Sequence, residues 1–387
     1  MPGPLEGTRV LDLGTYAIGP AAASTLGQLG AEVIRIENPA GEAFMDFEPT
    51  MGGMATSYIN ANLAKQSITL DLKTDQGLEV ALTLADRADV IVENRLAGVI
   101  DKLGLGYDTI SARNPRIVYI SMPGFSPDGP FAGKPALDMD IQALSGFASI
   151  EGAAGGPPEL FRVYAHMDHT TALFLVQTAI LGLIGREQTG RGAHLEVGFF
   201  SSALFLQATR LAQYFARGET PKRTASASST IAPSQSFVCL DGRYVNISAP
   251  DDETWHRLCE ALDIATLCDD DRFKSNDARL QNRHDLSELI SRKTSEAPVW
   301  WWLVHLRRHS IPCGPVYQFD EMRRDEHFLS EELLIDVQTP WGPVVRGGHP
   351  WHFSETPCAD IEGTHAPGSD DETVRVLSKS GPETRQA

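Results

Sequence analysis

The stretch LEGTRVLDLGTYAIGPAAASTLGQLGAEVIRIE, residues 5–37, decides the fold. TRVLDLG reads as a short buried strand that ends at Gly14. PAAASTLGQLG reads as a helix of small residues stopped at Gly30, and AEVIRIE as a second strand. A strand, a helix and a strand in this order favour a parallel sheet. The glycines at 14, 19, 27 and 30 do not make the GxGxxG spacing, so a nicotinamide dinucleotide site is not indicated. A strand-turn-helix whose first N–H groups can receive an anion is what is left.

The same alternation continues outward. SITLDL predicts a strand, and Thr74 is placed to cap a helix over DQGLEVALTLADRA, with Leu78, Leu82 and Ala85 on one face. DVIVEN and RIVYISM predict two more strands, so the first 150 residues read as an open α/β layer. Residues 169–186 predict a long helix from the spacing of Ala172, Leu175, Val176, Ala179, Leu183 and Ile184. A strand and a further helix follow over GRGAHLEVGFFSSALFLQATRLAQYFA. Residues 218–236 have no apolar period and read as a linker between domains. A smaller α+β domain over 237–329 is expected beyond it. It would begin with a hairpin around Asp241-Gly242 and contain helices over DETWHRLCEALD, 279–292 and 297–308. From about 330 the chain is rich in Pro and Gly, and its last dozen residues are expected to fray.

The 387 residues suffice for two domains with substantial cores. A formal net charge of −18 argues against nucleic acid or an anionic membrane as partner. No run approaches the length of a membrane span and the N-terminus lacks a signal-peptide pattern, so neither is expected. The five cysteines are odd in number and scattered, which fits free thiols in a reducing cytoplasm. Cys313 is best read as a small buried thiol.

The segment with chemistry is HMDHTTALFL, residues 166–175. Asp168 stands between His166 and His169 at the mouth of the long helix. A metal site is possible from these three side chains, but their spacing is cramped and no further cluster completes a shell, so no metal is expected. Local pattern favours an N-cap, whose carboxylate accepts a backbone N–H and gains from the helix dipole. The same dipole would hold the carboxylate ionised, as a nucleophile requires.

The order of the motifs resembles the family III CoA-transferases, the CaiB/BaiF family. Residues 5–37 match the family opening. NLAKQSITLDL, ADVIVENRLAGVIDKLGL, NPRIVYISMPGFSPDGP, LDMDIQALSG, GREQTGRGAHLEVGFFSSAL, DDRFKSNDARLQNRHDL and SIPCGPV follow in the family's order, so the likeness runs from about residue 5 to 355. It implies an interlocked homodimer. Each subunit would have a large Rossmann-like domain over 1–217, completed by 330–387, and a small central domain. The linker and the Pro-rich return near 330 fit the two crossings.

The resemblance places the family's nucleophile on Asp168. Its carboxylate would attack an acyl-CoA thioester and become an aspartyl-CoA thioester, from which a second carboxylic acid takes the CoA. No permanently bound cofactor is implied, because CoA arrives as substrate. Lys65 and Lys102 stand where the family has basic residues, and each is a candidate for the CoA phosphates. The turn at Tyr16, Ala17 and Ile18 lies where relatives line the thioester pocket. Ala17 replaces a glutamine, and Asn38 an arginine, of the formyl-CoA:oxalate enzyme. That enzyme's poly-glycine loop has no equivalent in TASASSTIAPSQ, and this, with the change at 17, counts against oxalate as acceptor. Asp138, Met139, His166 and His169 are weaker candidates for the acyl pocket, whose apolar members suggest an aliphatic or dicarboxylic acyl group. Transfer between two carboxyls of one molecule would leave the same motifs. The rival within the fold is a 2-methylacyl-CoA racemase, which needs two acid/base groups. Its histidine falls on Leu137, which cannot carry a proton.

Overall fold

The computed structural model describes residues 3–47, 49–126, 128–161 and 165–379. Six parallel strands form the main sheet: β1 Arg9–Asp12, β2 Glu32–Glu37, β3 Gln66–Thr69, β4 Val90–Glu93, β5 Val118–Ser121 and β6 Ala193–Glu196. Their order across the sheet is β3-β2-β1-β4-β5-β6. Chain order reverses between β1 and β4, and the crevice at the C-terminal ends of strands beside such a reversal is where open α/β sheets bind ligands. Both sheet faces are covered, one by the core containing Val10, Val90, Val118 and Leu175, the other by that containing Leu11, Ile91 and Tyr119. This burial explains why the strands read as unbroken apolar runs.

Helix Ile18–Gln28 follows β1 and ends before Gly30, whose φ of +101° suits glycine. Helix Asp75–Ala85 is capped by Thr74, whose hydroxyl accepts from Gly77 N at 3.1 Å. The long helix runs His166–Thr189, three residues further at each end than the periodicity indicates. It is long and apolar enough to cross a membrane by composition alone. Its Met167, Thr171, Ala172, Leu175, Val176 and Ala179 are nevertheless buried.

The chain divides into two compact units. One comprises Met1–Phe147, Phe161–Gln213 and Ser330–Ala387; the other comprises Ala148–Leu160 and Tyr214–Leu329. Within the second, Ser234–Val238 and Tyr244–Ser248 form the hairpin around Gly242, with Cys313–Pro315 as a third strand. The first hairpin strand thus begins inside the stretch read as linker. The helix expected over 279–292 is two helices, Asn276–Gln281 and Arg283–Thr294. Buried Arg279 fixes the first of them by bonding Ala232 O, Phe273 O and Asp252.

The Pro- and Gly-rich stretch after 330 holds a hairpin, Leu334–Thr339 with Gly342–Gly347. Helix Asp371–Lys379 occupies part of the end expected to fray; residues 380–387 lie outside the described residues. The start of this last helix seals the sheet edge. Ser67 N donates to Asp370 and Thr69 N to Asp371, each at 2.8 Å, so two outward N–H groups of β3 are met by carboxylates.

Candidate active site

At the strand ends beside the reversal, the chain leaves β1 through a fixed turn. Gly14 N donates to Asp12 Oδ1 at 2.8 Å. The Asn94 side chain binds the backbone of Thr15 twice, accepting from its N at 2.7 Å and donating to its O at 2.9 Å. A Cβ on Gly14 would meet Pro20 at 2.8 Å, so the turn is too close to its helix for any larger residue. Tyr16 then takes φ +56°, rare for a side chain of its size and a mark of functional turns. Its ring is half exposed and packs near Phe44 and Phe47. Ala17 is half-buried and Ile18 is buried.

Beneath this turn lies a buried charge cluster. Asp12 and Arg35 are neighbours across β1 and β2, and Arg35 Nη1 donates to Asp12 Oδ2 at 3.0 Å. Arg35 also reaches Glu37 at 3.2 Å and Glu42 at 3.1 Å. Lys65 Nζ donates to Asp12 Oδ2 at 2.7 Å and to Asn62 Oδ1 at 2.9 Å. Burial alone would raise the Asp12 carboxyl, but Lys65 and Arg35 outweigh it and hold it at about 2. Burial pulls Lys65 down to about 8, against the attraction of Asp12. This corrects the expectation that Lys65 neutralises a CoA phosphate. Lys65 is 3% exposed with its ammonium committed to Asp12, and a phosphate would have to break that pair in the interior. Lys102 is exposed at the end of the short helix Val99–Lys102, and Asn38 is exposed with its side chain accepting from Ala40 N.

Asp168 lies in the first turn of helix His166–Thr189 and is half-buried. It is not the N-cap, because the helix begins two residues before it. The capping acceptor comes from another element. Asp138, buried at the start of helix Asp138–Leu144, accepts from Met167 N at 2.7 Å and from Asp168 N at 3.2 Å through Oδ2. Its Oδ1 accepts from Gln142 Nε2. Gln142 in turn donates to Phe161 O at 3.0 Å and accepts from Phe161 N at 2.8 Å.

These bonds also correct the electrostatic expectation. The first-turn N–H groups are spent on Asp138, and Asp168 sits beside a second carboxylate. Burial, with the charge of Asp138 added, pushes Asp168 up to about 7. Among the described residues no cation pairs with it. Asp138 is therefore a cap and clamp, a role that no sequence spacing announces. Gln142, fully buried, was missed as a site residue, although it lies in the motif LDMDIQALSG.

The other candidates gather around this point. Half-buried Met139 is near Gln142, its sulfur 4.0 Å from Nε2. His166 packs near the rings of Phe147 and Phe161, centroids 5.6 and 5.7 Å away. Burial lowers His169 to about 4, with His166 adding to the effect and Asp138 opposing it. Among the described residues no group of three His, Cys, Asp or Glu is placed to hold a metal ion.

Comparison with known proteins agrees with this architecture. The family model described as CoA-transferase family III matches residues 5–371. Succinyl-CoA:glutarate CoA-transferase of Homo sapiens is 32% identical over 352 residues, 89% of this chain and 80% of that protein. Succinyl-CoA:mesaconate CoA-transferase of Haloarcula hispanica is 32% identical over 391 residues, 98% of this chain and 97% of that protein. Acetyl-CoA:oxalate CoA-transferase of Acetobacter aceti is 31% identical over 367 residues, 93% of this chain and 94% of that protein. The crystal structure of a CaiB/BaiF family protein from Brucella suis superposes with a TM-score of 0.89 at 30% identity, covering 98% of this chain and 100% of that one.

Proposed function

We propose, from the premise that this chain belongs to CoA-transferase family III, that it moves CoA from an acyl-CoA to a free carboxylic acid through Asp168. The observation that carries the proposal is the Asp168 carboxyl: half-buried, unpaired with any cation among the described residues, and fixed at a helix start by an independent clamp. Such a group is costly to hold, and groups held at that cost cluster at reactive sites.

In the proposed cycle, ionised Asp168 attacks the thioester carbonyl. The C–S bond breaks, giving a mixed anhydride and CoA thiolate. The thiolate attacks the aspartyl carbonyl and releases the donor acid, leaving an aspartyl-CoA thioester. The acceptor carboxylate then attacks this thioester and expels the thiolate. Attack of the thiolate on the acceptor's carbonyl restores Asp168 and yields the new acyl-CoA. Each step exchanges one anion for another, so no proton is consumed once Asp168 is ionised.

We place the CoA thioester over the turn from Gly14 to Ile18, with Lys102 available to a phosphate and Asn38 beside the same strand ends. Dicarboxylic acids are the proposed donors and acceptors, consistent with the relatives named for succinyl, glutarate and mesaconate groups and with an apolar turn at Tyr16 and Ile18. Transfer within one dicarboxylic acyl-CoA belongs to the same proposal. An interlocked homodimer is proposed as the working form. It is supported by apolar side chains that the single chain leaves open on two core helices: Leu173, Leu181 and Ile184 on the long one, Phe205 on Phe199–Leu206. The five cysteines are all free thiols, which supports a cytoplasmic location.

The test is a panel of acyl-CoA donors against short mono- and dicarboxylic acids, read by mass spectrometry. We expect CoA exchange that requires an acceptor acid or a second carboxyl on the donor. Uptake of solvent deuterium at the α-carbon, without any acceptor, would instead establish the racemase.

A further inference from the structure

We propose that Asp138 is a positioning residue for the reaction: locked by Gln142, it holds the first turn of the Asp168 helix and sets a second negative charge beside the nucleophile. The inference rests on Asp168 being the nucleophile. Its basis is a chain of hydrogen bonds that fixes the approach to Asp168 at two points. Gln142, with no exposed surface, grips both backbone groups of Phe161. The same Nε2 that reaches Phe161 O also holds Asp138 Oδ1. Asp138 Oδ2 then takes the N–H groups of Met167 and Asp168. The chain is thereby pinned at 161 and again at 167–168, on both sides of the residues that lead into the helix.

A neutral acceptor would satisfy the same N–H groups, so the charge needs its own account. A helix start normally favours an anion. Here Asp138 occupies that position, and Asp168 is left with the repulsion of a neighbour instead of the attraction of free N–H groups.

Among the described residues, no other charged group on the packed elements competes. Helices Ile18–Gln28 and Phe199–Leu206 carry no titratable residue. On β5 and β6, Tyr119 is bonded to Leu105 O, His194 to Ser121, and Glu196 is exposed. Asp140, on the helix of Asp138, is exposed and faces Leu137 N. On the Asp168 helix itself, His166 packs near aromatic rings and His169 is neutral above about pH 4. The resting nucleophile is thus partly protonated near neutrality, and Asp138 contributes to where its ionisation falls.

The test follows aspartyl adduct formation from acyl-CoA alone as a function of pH. In the wild type we expect the rate to rise through a midpoint near pH 7. Asp138→Asn keeps an acceptor for both N–H groups but removes the charge, and should move the midpoint down by about one unit or more. The new amide faces the Gln142 amide, a donor against a donor, so Asp138→Ser is the second variant. Its shorter side chain removes the charge without that clash, although it gives up reach to the N–H groups, and its midpoint must move the same way. A midpoint does not depend on the fraction of active protein, so partial folding does not obscure it. Gln142→Leu should lower the rate while leaving the midpoint nearer the wild-type value, because both carboxylates remain. Unmoved midpoints in Asp138→Asn and Asp138→Ser would overturn the inference while leaving the nucleophile in place. Adduct formation by Asp168→Asn would instead remove the nucleophile itself.

Discussion

Two groups of acidic residues in this chain meet opposite electrostatic fates. Around Asp12, two buried carboxylates and the half-buried Glu42 are interleaved with Arg35 and Lys65, and the cations hold Asp12 at about 2. Around Asp168, two carboxyls share a helix start with no cation among the described residues, and Asp168 rises to about 7. The first arrangement fixes backbone: it ties β1 to β2 under the turn at Tyr16. The second leaves one carboxyl poorly stabilised, which fits the proposed role of Asp168 as nucleophile. Burial acts on both; the neighbouring charge determines which carboxyl is held ionised and which is pushed up.

The contrast breaks most sharply at Asp168. Asp168→Asn should lower CoA transfer by on the order of 10⁴-fold or more, measured as kcat with any productive donor and acceptor. Removing a charge from the other cluster should act on folding. Arg35→Leu leaves Asp12, Glu37 and Glu42 short of a cation, and we expect a loss of about 3–5 kcal/mol in denaturant unfolding. A stable Arg35→Leu protein would show that the cluster is not a structural tie.

The pH dependence of stability sharpens the same contrast, because the two shifts have opposite signs. Asp12 has a lowered folded value, so its contribution is present above the ordinary carboxyl value of 3.8 and fades as pH falls toward 2. Asp168 has a raised folded value. Its cost is absent below 3.8, grows as pH rises toward 7 and is constant above. Asp168→Asn should therefore stabilise the protein at neutral pH by about 1–2 kcal/mol, discounted for partial exposure, and have little effect near pH 4. Thermal melts at the two pH values measure this.

The smallest effect is expected at the sheet edge. His365 bridges Asp370 and Glu362, whose bonds raise its value against the opposing effect of burial. Its contribution is present below the ordinary histidine range and is lost as pH rises through the raised value. Hydrogen exchange at Ser67 and Thr69 N–H should then quicken modestly.

The α/β layer was legible because each strand of residues 5–150 is a short apolar run bounded by turn residues, and Thr74 marks its helix locally. The order of flanking motifs is what points to Asp168 as the proposed nucleophile. Its true environment was not legible, because the capping carboxylate lies 30 residues earlier. An aspartate before an apolar run looks like a cap whether or not a distant group does the capping. Lys65 misled for a related reason: a lysine in a polar motif reads as exposed until the pairing of β3 with β2, and of β2 with β1, brings it to Asp12. The hairpin at 334–347 escaped notice because Pro343 and the glycines hide its alternation.

The most direct test of the central claim is to incubate the enzyme with acyl-CoA alone, quench with hydroxylamine, and map the modified peptide by mass spectrometry. An aspartyl hydroxamate on Asp168, absent without acyl-CoA and absent in Asp168→Asn, is the expected result. A hydroxamate on another residue, or CoA exchange with no enzyme-bound intermediate, would contradict it.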